Sequence, residues 1–314
     1  MQLKTNNQSI LQKIAPFIGL ILIIVIITIL NPGFLSLSNL MNVLRQVSIN
    51  ALIAFGMTFV ILTGGIDLSV GATLALTGAV SAGMMASGVD PIFAMLLGLL
   101  LGAVLGAING IIIAKGKVAP FIATLATMTI YRGLTLVYTD GRPISGLGDS
   151  LTFQMLGKGY FLGIPVPVVT MIISFGILYF ILKRTTFGRR VYAVGGNEEA
   201  SILSGINADR IKIYVYSLLG LLAALASLIL TSRLNSAQPT AGEMFELDAI
   251  AAVVLGGTSL TGGRGWIVGT LIGALIIGVL NNGLNLIGVP SFFQQVVKGA
   301  VILLAVLLDR KKTA

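Results

Sequence analysis

Long apolar runs, separated by short polar segments, make up most of this sequence. A helix needs about 20 apolar residues to cross about 30 Å of hydrocarbon. Most of the runs come close to that length, and they occupy residues 14–30, 47–63, 66–85, 92–114, 118–137, 164–182, 213–230, 249–255, 266–280 and 292–308. The pattern predicts about ten membrane crossings. The run 249–255 is too short for a full span, so it is re-entrant or half-buried, or it extends back over 245–248.

The composition supports a lipid environment for these runs. Hydrophobic residues make up 56% of the chain and charged residues only 10%, whereas soluble domains carry roughly 25% charged residues. So few charges cannot cover a large core with a water-exposed surface. No linker or low-complexity segment divides the chain. We therefore predict an all-α polytopic membrane protein with possible half-spans or broken helices, forming a single transmembrane domain over residues 1–314.

The distribution of basic residues predicts the orientation of the spans. The formal net charge is +9, but the basic residues cluster between apolar runs without the interleaved aromatics of a nucleic-acid surface, which argues against nucleic-acid binding. Lysine and arginine concentrate in the loops of one side, as cytoplasmic loops do. With ten spans, both termini share that cytoplasmic side. No small-residue cleavage site follows the first run, so we interpret it as an uncleaved span rather than a signal peptide.

Several kinds of chemistry are excluded by composition. The chain has no cysteine and no histidine, which removes thiol nucleophiles, imidazole bases and the common zinc sites. It also lacks paired carboxylates for acid–base catalysis. No glycine loop precedes a Lys-Thr pair, as a P-loop requires. We predict a protein that is not an enzyme and holds no cofactor or metal, so that any ATP it uses is bound by another chain.

Asp67 is the costliest residue within the apolar runs. A carboxylate at membrane depth is unfavourable unless it is paired or wetted, and so it marks a functional site. The glycines around it indicate a broken helix, which is tolerated where backbone faces protein or a cavity. Two interpretations remain open: Asp67 lies in a solute pathway, or it caps the next helix at the cytoplasmic face. A weak echo of the same pattern later in the chain extends the set of hinge candidates, which are Gly64, Gly65, Gly71, Gly256 and Gly257.

Five asparagines in or near the runs are further pathway candidates. A carboxamide both donates and accepts hydrogen bonds, so it suits a polyhydroxylated solute in a cavity. The same groups also join helices to one another inside membranes. Both interpretations stay open for Asn50, Asn109, Asn281, Asn282 and Asn285.

Two glycine stripes predict close helix packing. Glycines recur every four residues at Gly98, Gly102, Gly106 and Gly110, and again at Gly265, Gly269 and Gly273. Small residues on one face let helix backbones approach closely in lipid. We interpret both stripes as static packing surfaces rather than sliding gates.

The segment 183–212 is predicted to be the longest cytoplasmic loop. Gly195-Gly196 are expected to break the chain, Asn197 can cap a following helix, and Glu198-Glu199 favour a helix N-terminus. Gly205 allows the positive φ that ends many helices. A short helix at 197–205 is therefore predicted, serving either as a docking element for a soluble partner or as an ordered connector.

Three segments carry a resemblance to a known family. Residues 63–71 (TGGIDLSVG), 188–205 and 255–265 resemble the membrane permeases of bacterial sugar importers of the ATP-binding-cassette class, and the likeness covers nearly the whole chain. The resemblance implies a homodimer in the bacterial plasma (inner) membrane that translocates ribose or a similar simple sugar. It also implies two partners: a cytoplasmic ATPase subunit with two nucleotide-binding domains and an extracytoplasmic sugar-binding protein.

The family resemblance also implies roles for particular segments. Related permeases insert a cytoplasmic coupling helix into the ATPase, and the matching positions are Asn197, Glu198, Glu199, Ala200, Ile202, Leu203, Ser204 and Gly205. The outer loops 140–163 and 232–248 are expected to receive the binding protein, through Arg142, Asp149, Lys158, Arg233, Glu243 and Glu246. The alternative is an ion-coupled secondary transporter of a small polar solute. Such a transporter usually needs several intramembrane carboxylates, whereas Asp67 stands nearly alone.

Overall fold

The computed structural model describes residues 2–147 and 150–310, and over these residues the chain is almost entirely helical. The helices are α1 (Gln2–Leu30), α2 (Leu37–Leu62), α3 (Val70–Ala86), α4 (Pro91–Ala114), α5 (Pro120–Thr139), α6 (Leu151–Lys158), α7 (Val166–Arg184), α8 (Thr186–Gly196), α9 (Glu198–Leu203), α10 (Ala208–Leu234), α11 (Phe245–Leu255), α12 (Ile267–Leu286) and α13 (Ser291–Arg310). A 3-10 turn (Pro32–Leu35) joins α1 to α2. Two antiparallel pairs of short strands complete the described chain: β1 (Ile144–Ser145) with β4 (Ser236–Ala237), and β2 (Tyr160–Phe161) with β3 (Ile164–Pro165).

The helices confirm a polytopic membrane architecture. Six of them, α2, α4, α5, α7, α10 and α12, are long and apolar enough to cross a membrane, and Pro16–Leu30 and α3 are shorter apolar helices. Every apolar run of the sequence falls mainly within a helix. The short run 249–255 does extend back, beginning at Phe245. At about 1.5 Å per residue, α11 is about 16 Å long and therefore about half the thickness of the hydrocarbon layer.

One predicted break is wrong. Gly195 and Gly196 were expected to interrupt the chain, but they form the last residues of α8, and the helix ends only at Asn197, whose φ is −160°. The reason is packing, since Gly195 lies directly against the backbone at the end of α2. A close backbone contact of this kind requires glycine without requiring a break.

Helix α2 forms the centre of the fold. Its residues from Val47 to Leu62 are buried except Asn50, on every side of the helix. It packs against α10, α12, α11 and α7. By contrast, the outer faces of α1, α4, α5 and α7 expose large apolar side chains, among them Ile29, Leu96, Val137 and Ile173. A helix surrounded by helices and an apolar outer surface are both expected when the solvent is lipid.

The glycine stripes are packing surfaces, as predicted. On α4, a Cβ at Gly102, Gly106 or Gly110 would overlap the backbone or side chains of α10. On α12, a Cβ at Gly269 or Gly273 would overlap carbonyl groups at the end of α11. Both contacts bring backbones closer than any side chain allows, so these positions fix α4 on α10 and α12 on α11.

Candidate functional site

Asp67 belongs to a buried polar cluster in the break between α2 and α3. Only 2% of the residue is exposed. Its Oδ1 accepts hydrogen bonds from the Ser69 amide and hydroxyl, each at 2.7 Å. The Asn109 amide of α4 donates to Asp67 Oδ2 at 3.2 Å and to Ser69 Oγ at 2.8 Å. The carboxylate therefore ties the break to α4, and among the described residues no lysine or arginine nitrogen lies within 4 Å of it.

The hinge glycines Gly64 and Gly257 occupy equivalent positions at the ends of α2 and α11. Gly64 has φ +79° and Gly257 has φ +84°. In each case the glycine amide and the next amide, of Gly65 or Thr258, donate to carbonyls of the preceding helical turn. This is the arrangement in which a glycine in the left-handed region ends a helix. The structure therefore pairs Gly64 with Gly257, whereas the sequence echo aligns Gly64 with Gly256.

The remaining hinge candidates lie in close backbone contacts. Gly71 is in the first turn of α3, where a Cβ would overlap the Gly242 carbonyl. Gly256 faces Gly269 of α12 in the same way, and Gly65 faces the Tyr216 hydroxyl. At each of these three positions a neighbouring segment therefore packs where a side chain would otherwise stand.

The ends of several helices meet in what we call the inner junction, formed by Leu62, Tyr192, Gly195, Gly263 and Gly265. The Gly263 amide donates to the Leu62 carbonyl at 2.9 Å, and the Tyr192 hydroxyl donates to the Gly265 carbonyl at 2.8 Å. Gly195 packs directly on the Leu62 carbonyl and near the Gly263 amide. Burial raises the pKa of the Tyr192 phenol, so it stays protonated as a donor. The junction connects α8 to α2 and to the turn between α11 and α12.

The predicted short helix is confirmed as α9, which follows the inner junction. The Asn197 side chain caps it by accepting from the Ala200 amide at 2.9 Å. Gly205, with φ +80°, follows its end. On its free surface Ile202 is 55% exposed and Leu203 is 89% exposed. A short helix whose largest apolar side chains face outward is suited to contact another protein.

The helix α9 is also anchored to the spans. The Lys212 ammonium of α10 lies 2.7 Å from Glu198 at the start of α9. Of the other coupling candidates, Ser204 donates to the Ala200 carbonyl at 2.8 Å, and Glu199 is exposed. The contacts hold α9 against the spans and leave its outer surface free.

The five candidate asparagines do not form one site. Asn109 belongs to the Asp67 cluster, whereas Asn282 exchanges reciprocal hydrogen bonds with Asn39 of α2 at 2.9 and 3.0 Å. Asn285 accepts from Gln294 of α13 at 2.9 Å. Asn50 is partly buried in α2. The interhelical bonds of Asn282 are those expected of a residue that joins helices.

A second buried cluster was missed by sequence reasoning. Asp248, in the first turn of α11, is 4% exposed and lies 3.2 Å from the Lys298 ammonium of α13. The Asn281 amide of α12 lies 3.5 Å from the same carboxylate oxygen. A useful signal was available, since Lys298 is the one charge in the run 292–308 and Asp248 directly precedes the run 249–255, and opposite charges at membrane depth indicate a pair.

An open cavity of about 640 Å³ lies between α3, α5, α13 and the segment that precedes α11. Its lining residues are Ala72, Met128, Thr129, Arg132, Gly133, Leu136, Glu243, Met244, Glu246 and Gln295. Arg132 Nη1 donates to the carbonyls of Pro239 and Ala241, at 2.6 and 3.0 Å. Glu243 and Glu246, expected to dock the binding protein, thus line this cavity. Of the other docking candidates, Asp149 lies outside the described residues.

Comparisons with known proteins place the chain in a family. Residues 39–306 match the family model described as branched-chain amino acid transport system / permease component. The chain belongs to this family and is a multi-pass membrane permease component rather than an enzyme. The resemblance inferred from the three segments is confirmed. No solved structure matches the chain.

Individual relatives are similar over nearly the whole length. The ribose import permease protein RbsC of Bacillus subtilis (strain 168) is 69% identical over 313 residues, which cover 100% of this chain and 97% of the relative. The protein of the same name from Escherichia coli (strain K12) is 57% identical over 297 residues, 94% of this chain and 92% of the relative. The D-allose transport system permease protein AlsC of the same strain is 44% identical over 300 residues, 95% and 91% of the two chains.

Proposed function

We propose that this chain is the membrane permease subunit of an importer that moves ribose into a bacterial cell, driven by ATP hydrolysis in a separate subunit. The observation that carries the cargo is the gradient of identity. Full-length identity is 69% and 57% to permeases named for ribose, but 44% and 36% to those named for D-allose and xylose. A pocket for a particular sugar depends on the placement of several polar groups, which diverge along with the sequence around them.

The proposed topology has ten spans and both termini in the cytoplasm. The spans are α1, α2, α3, α4, α5, α7, α10, α11, α12 and α13, of which α11 crosses only about half of the layer. This topology places α8, α9 and the arginines and lysines of segment 183–212 in the cytoplasm, as the distribution of positive charge favours. It places α6 and both strand pairs outside.

Helix α9 is the proposed docking element for the ATPase subunit. Exposed Ile202 and Leu203 would enter an apolar groove of the partner, while the Glu198–Lys212 pair holds the helix base. Movement of α9 would reach α2 and α11 through the inner junction. Two copies of the permease would then serve an ATPase with two nucleotide-binding domains, and an extracytoplasmic binding protein would deliver the sugar.

The test uses the permease reconstituted with its ATPase subunit and a ribose-binding protein in proteoliposomes. Wild-type protein is expected to take up ribose only with ATP. Leu203→Asp and Gly205→Val are expected to insert normally but to lose ATPase association and uptake, because one charges the docking surface and the other strains a positive φ. Leu203→Met is the matched control and should behave as wild type.

The alternatives give different results in the same assay. Uptake driven by a proton or sodium gradient without ATP would contradict the proposed class. If Leu203→Asp and Gly205→Val both took up ribose at wild-type rates, residues 197–205 would be only a connector.

A further inference from the structure

The open cavity beside Arg132 lies at membrane depth. Arg132 is about 18 Å along α5 from its first residue, which is more than half of the hydrocarbon thickness. A charge facing lipid at that depth costs several kcal/mol. Glu243 is exposed and Glu246 is partly buried, and neither forms an ion pair within 4 Å among the described residues. Charges in such a position indicate a water-filled surface rather than a lipid-facing one.

Non-helical backbone reaches the same depth. Residues 238–244 lead from β4 to α11 without forming a helix, and Gly242 packs on Gly71 in the first turn of α3. Backbone of this kind is tolerated at membrane depth only inside protein or along an aqueous cavity. Arg132 satisfies two of its carbonyls, those of Pro239 and Ala241. Arg132 is therefore a positioning residue that holds this segment as one wall of the cavity.

We propose that this cavity is a binding station for a neutral polyhydroxylated solute on its way through the permease. The inference rests on the proposed function and deepens it. The carboxyl oxygens of Glu243 and Glu246 accept hydrogen bonds, which suits sugar hydroxyls, and the Gln295 amide both donates and accepts. The volume of about 640 Å³ lies within the range of about 300–1,000 Å³ that holds small molecules.

The arrangement also disfavours anionic solutes, and it offers no metal site in the part of the chain that the structure describes. Two carboxylates at the cavity would repel an anion. The guanidinium nitrogen of Arg132 that faces the 238–244 segment is already occupied by two carbonyls. Among the described residues no group of three acidic side chains is placed to hold a metal ion. A neutral solute rich in hydroxyl groups is compatible with this lining.

The first test is single-cysteine labelling, because the chain has no cysteine of its own. Thr129→Cys and Gly133→Cys place thiols on the cavity face of α5, and a Cβ at Gly133 meets nothing within 4 Å. Ile130→Cys and Leu134→Cys are matched controls on the neighbouring exposed face. A charged, membrane-impermeant thiol reagent should modify the cavity pair at least about tenfold faster than the control pair. The reactive form is the thiolate, and its fraction falls about tenfold for each unit by which desolvation raises the pKa of the thiol. Ribose should slow the reaction at both cavity positions.

The second test separates this inference from the proposed function. Glu243→Gln and Gln295→Leu are expected to raise the KM for ribose uptake about tenfold, the effect of losing one good hydrogen bond, while ATPase association stays normal. If wild-type protein imports ribose but Thr129→Cys and Gly133→Cys react no faster than the controls, or ribose fails to protect them, the binding station is wrong and the proposed function stands. If Thr129→Cys and Gly133→Cys label as expected but wild-type protein imports no ribose, the proposed function is wrong.

Discussion

Removing Lys298 is expected to destabilise the protein strongly, because its partner Asp248 is buried. The substitution Lys298→Met keeps an unbranched apolar stem but deletes the charge that lies 3.2 Å from Asp248. The two side chains are only 21% and 5% exposed. Asp248 would be left with the Asn281 amide, at 3.5 Å, as its remaining partner.

The structure sets the expected size of this effect. Breaking a buried ion pair by removing one partner costs about 3–5 kcal/mol, whereas an exposed pair contributes only about 0–1 kcal/mol. Neutralising the orphaned carboxylate should reverse much of the loss. We therefore expect the double variant Asp248→Asn/Lys298→Met to recover at least about half of the stability, since a neutral amide leaves a deficit of about 1–2 kcal/mol.

The single tryptophan provides the measurement. Trp266 stands between α11 and α12, and its indole donates to the Gly256 carbonyl at 2.9 Å. Its fluorescence should therefore follow thermal unfolding of this region in detergent. Lys115→Met, at an exposed lysine, is the control and should change the free energy of unfolding by less than about 0.5 kcal/mol. A loss below about 1 kcal/mol for Lys298→Met would show that the pair is solvated and the reasoning mistaken.

Two further substitution pairs test the inner junction and the Asp67 cluster. Gly195→Ala should lower the free energy of unfolding by about 1–3 kcal/mol and impair uptake, because its Cβ overlaps the Leu62 carbonyl. Gly196→Ala is the control: its Cβ meets nothing, so it should be neutral in the same thermal assay. Equal stability of the two variants would contradict the inner junction. Asp67→Asn keeps an acceptor for Ser69 but places its own amide donor against the amide donor of Asn109. We therefore expect the free energy of unfolding to fall by about 1–3 kcal/mol, and by more in Asp67→Ala. Uptake measured beside stability decides the pathway role: wild-type uptake by Asp67→Asn would remove the charge from the mechanism.

The features that could be predicted from the sequence are those set by neighbouring residues. Hydrophobicity is a property of each segment, so the apolar runs were correctly predicted to form helices, six of which are long and apolar enough to cross a membrane. The cap at Asn197 and the end at Gly205 depend on a few adjacent residues, and both are present. Gly195 misled the prediction because its contact with α2, distant in sequence, decides its conformation.

The buried charges could not be placed by local reasoning. Lys298 and Asp248 are separated by 50 residues, and Arg132 is 107 residues from the carbonyl of Pro239 that it binds. Such pairings depend on which helices become neighbours, and the order of apolar runs does not determine that. Glu243 and Glu246, predicted to dock a binding protein, also line the open cavity beside Arg132, which their positions in the sequence did not indicate.

The half-length of α11 has a consequence for how the chain enters the membrane during synthesis. An apolar helix of about 16 Å, preceded by backbone without helical hydrogen bonds, has no stable position in lipid by itself. The insertion machinery therefore cannot release 238–255 as an independent unit. Arg132 is translated well before this segment, so the donor for its carbonyls is already present in α5 when the segment emerges. The last quarter of the chain thus requires the earlier helices as a template, and a fragment beginning after α10 should not insert with the native arrangement.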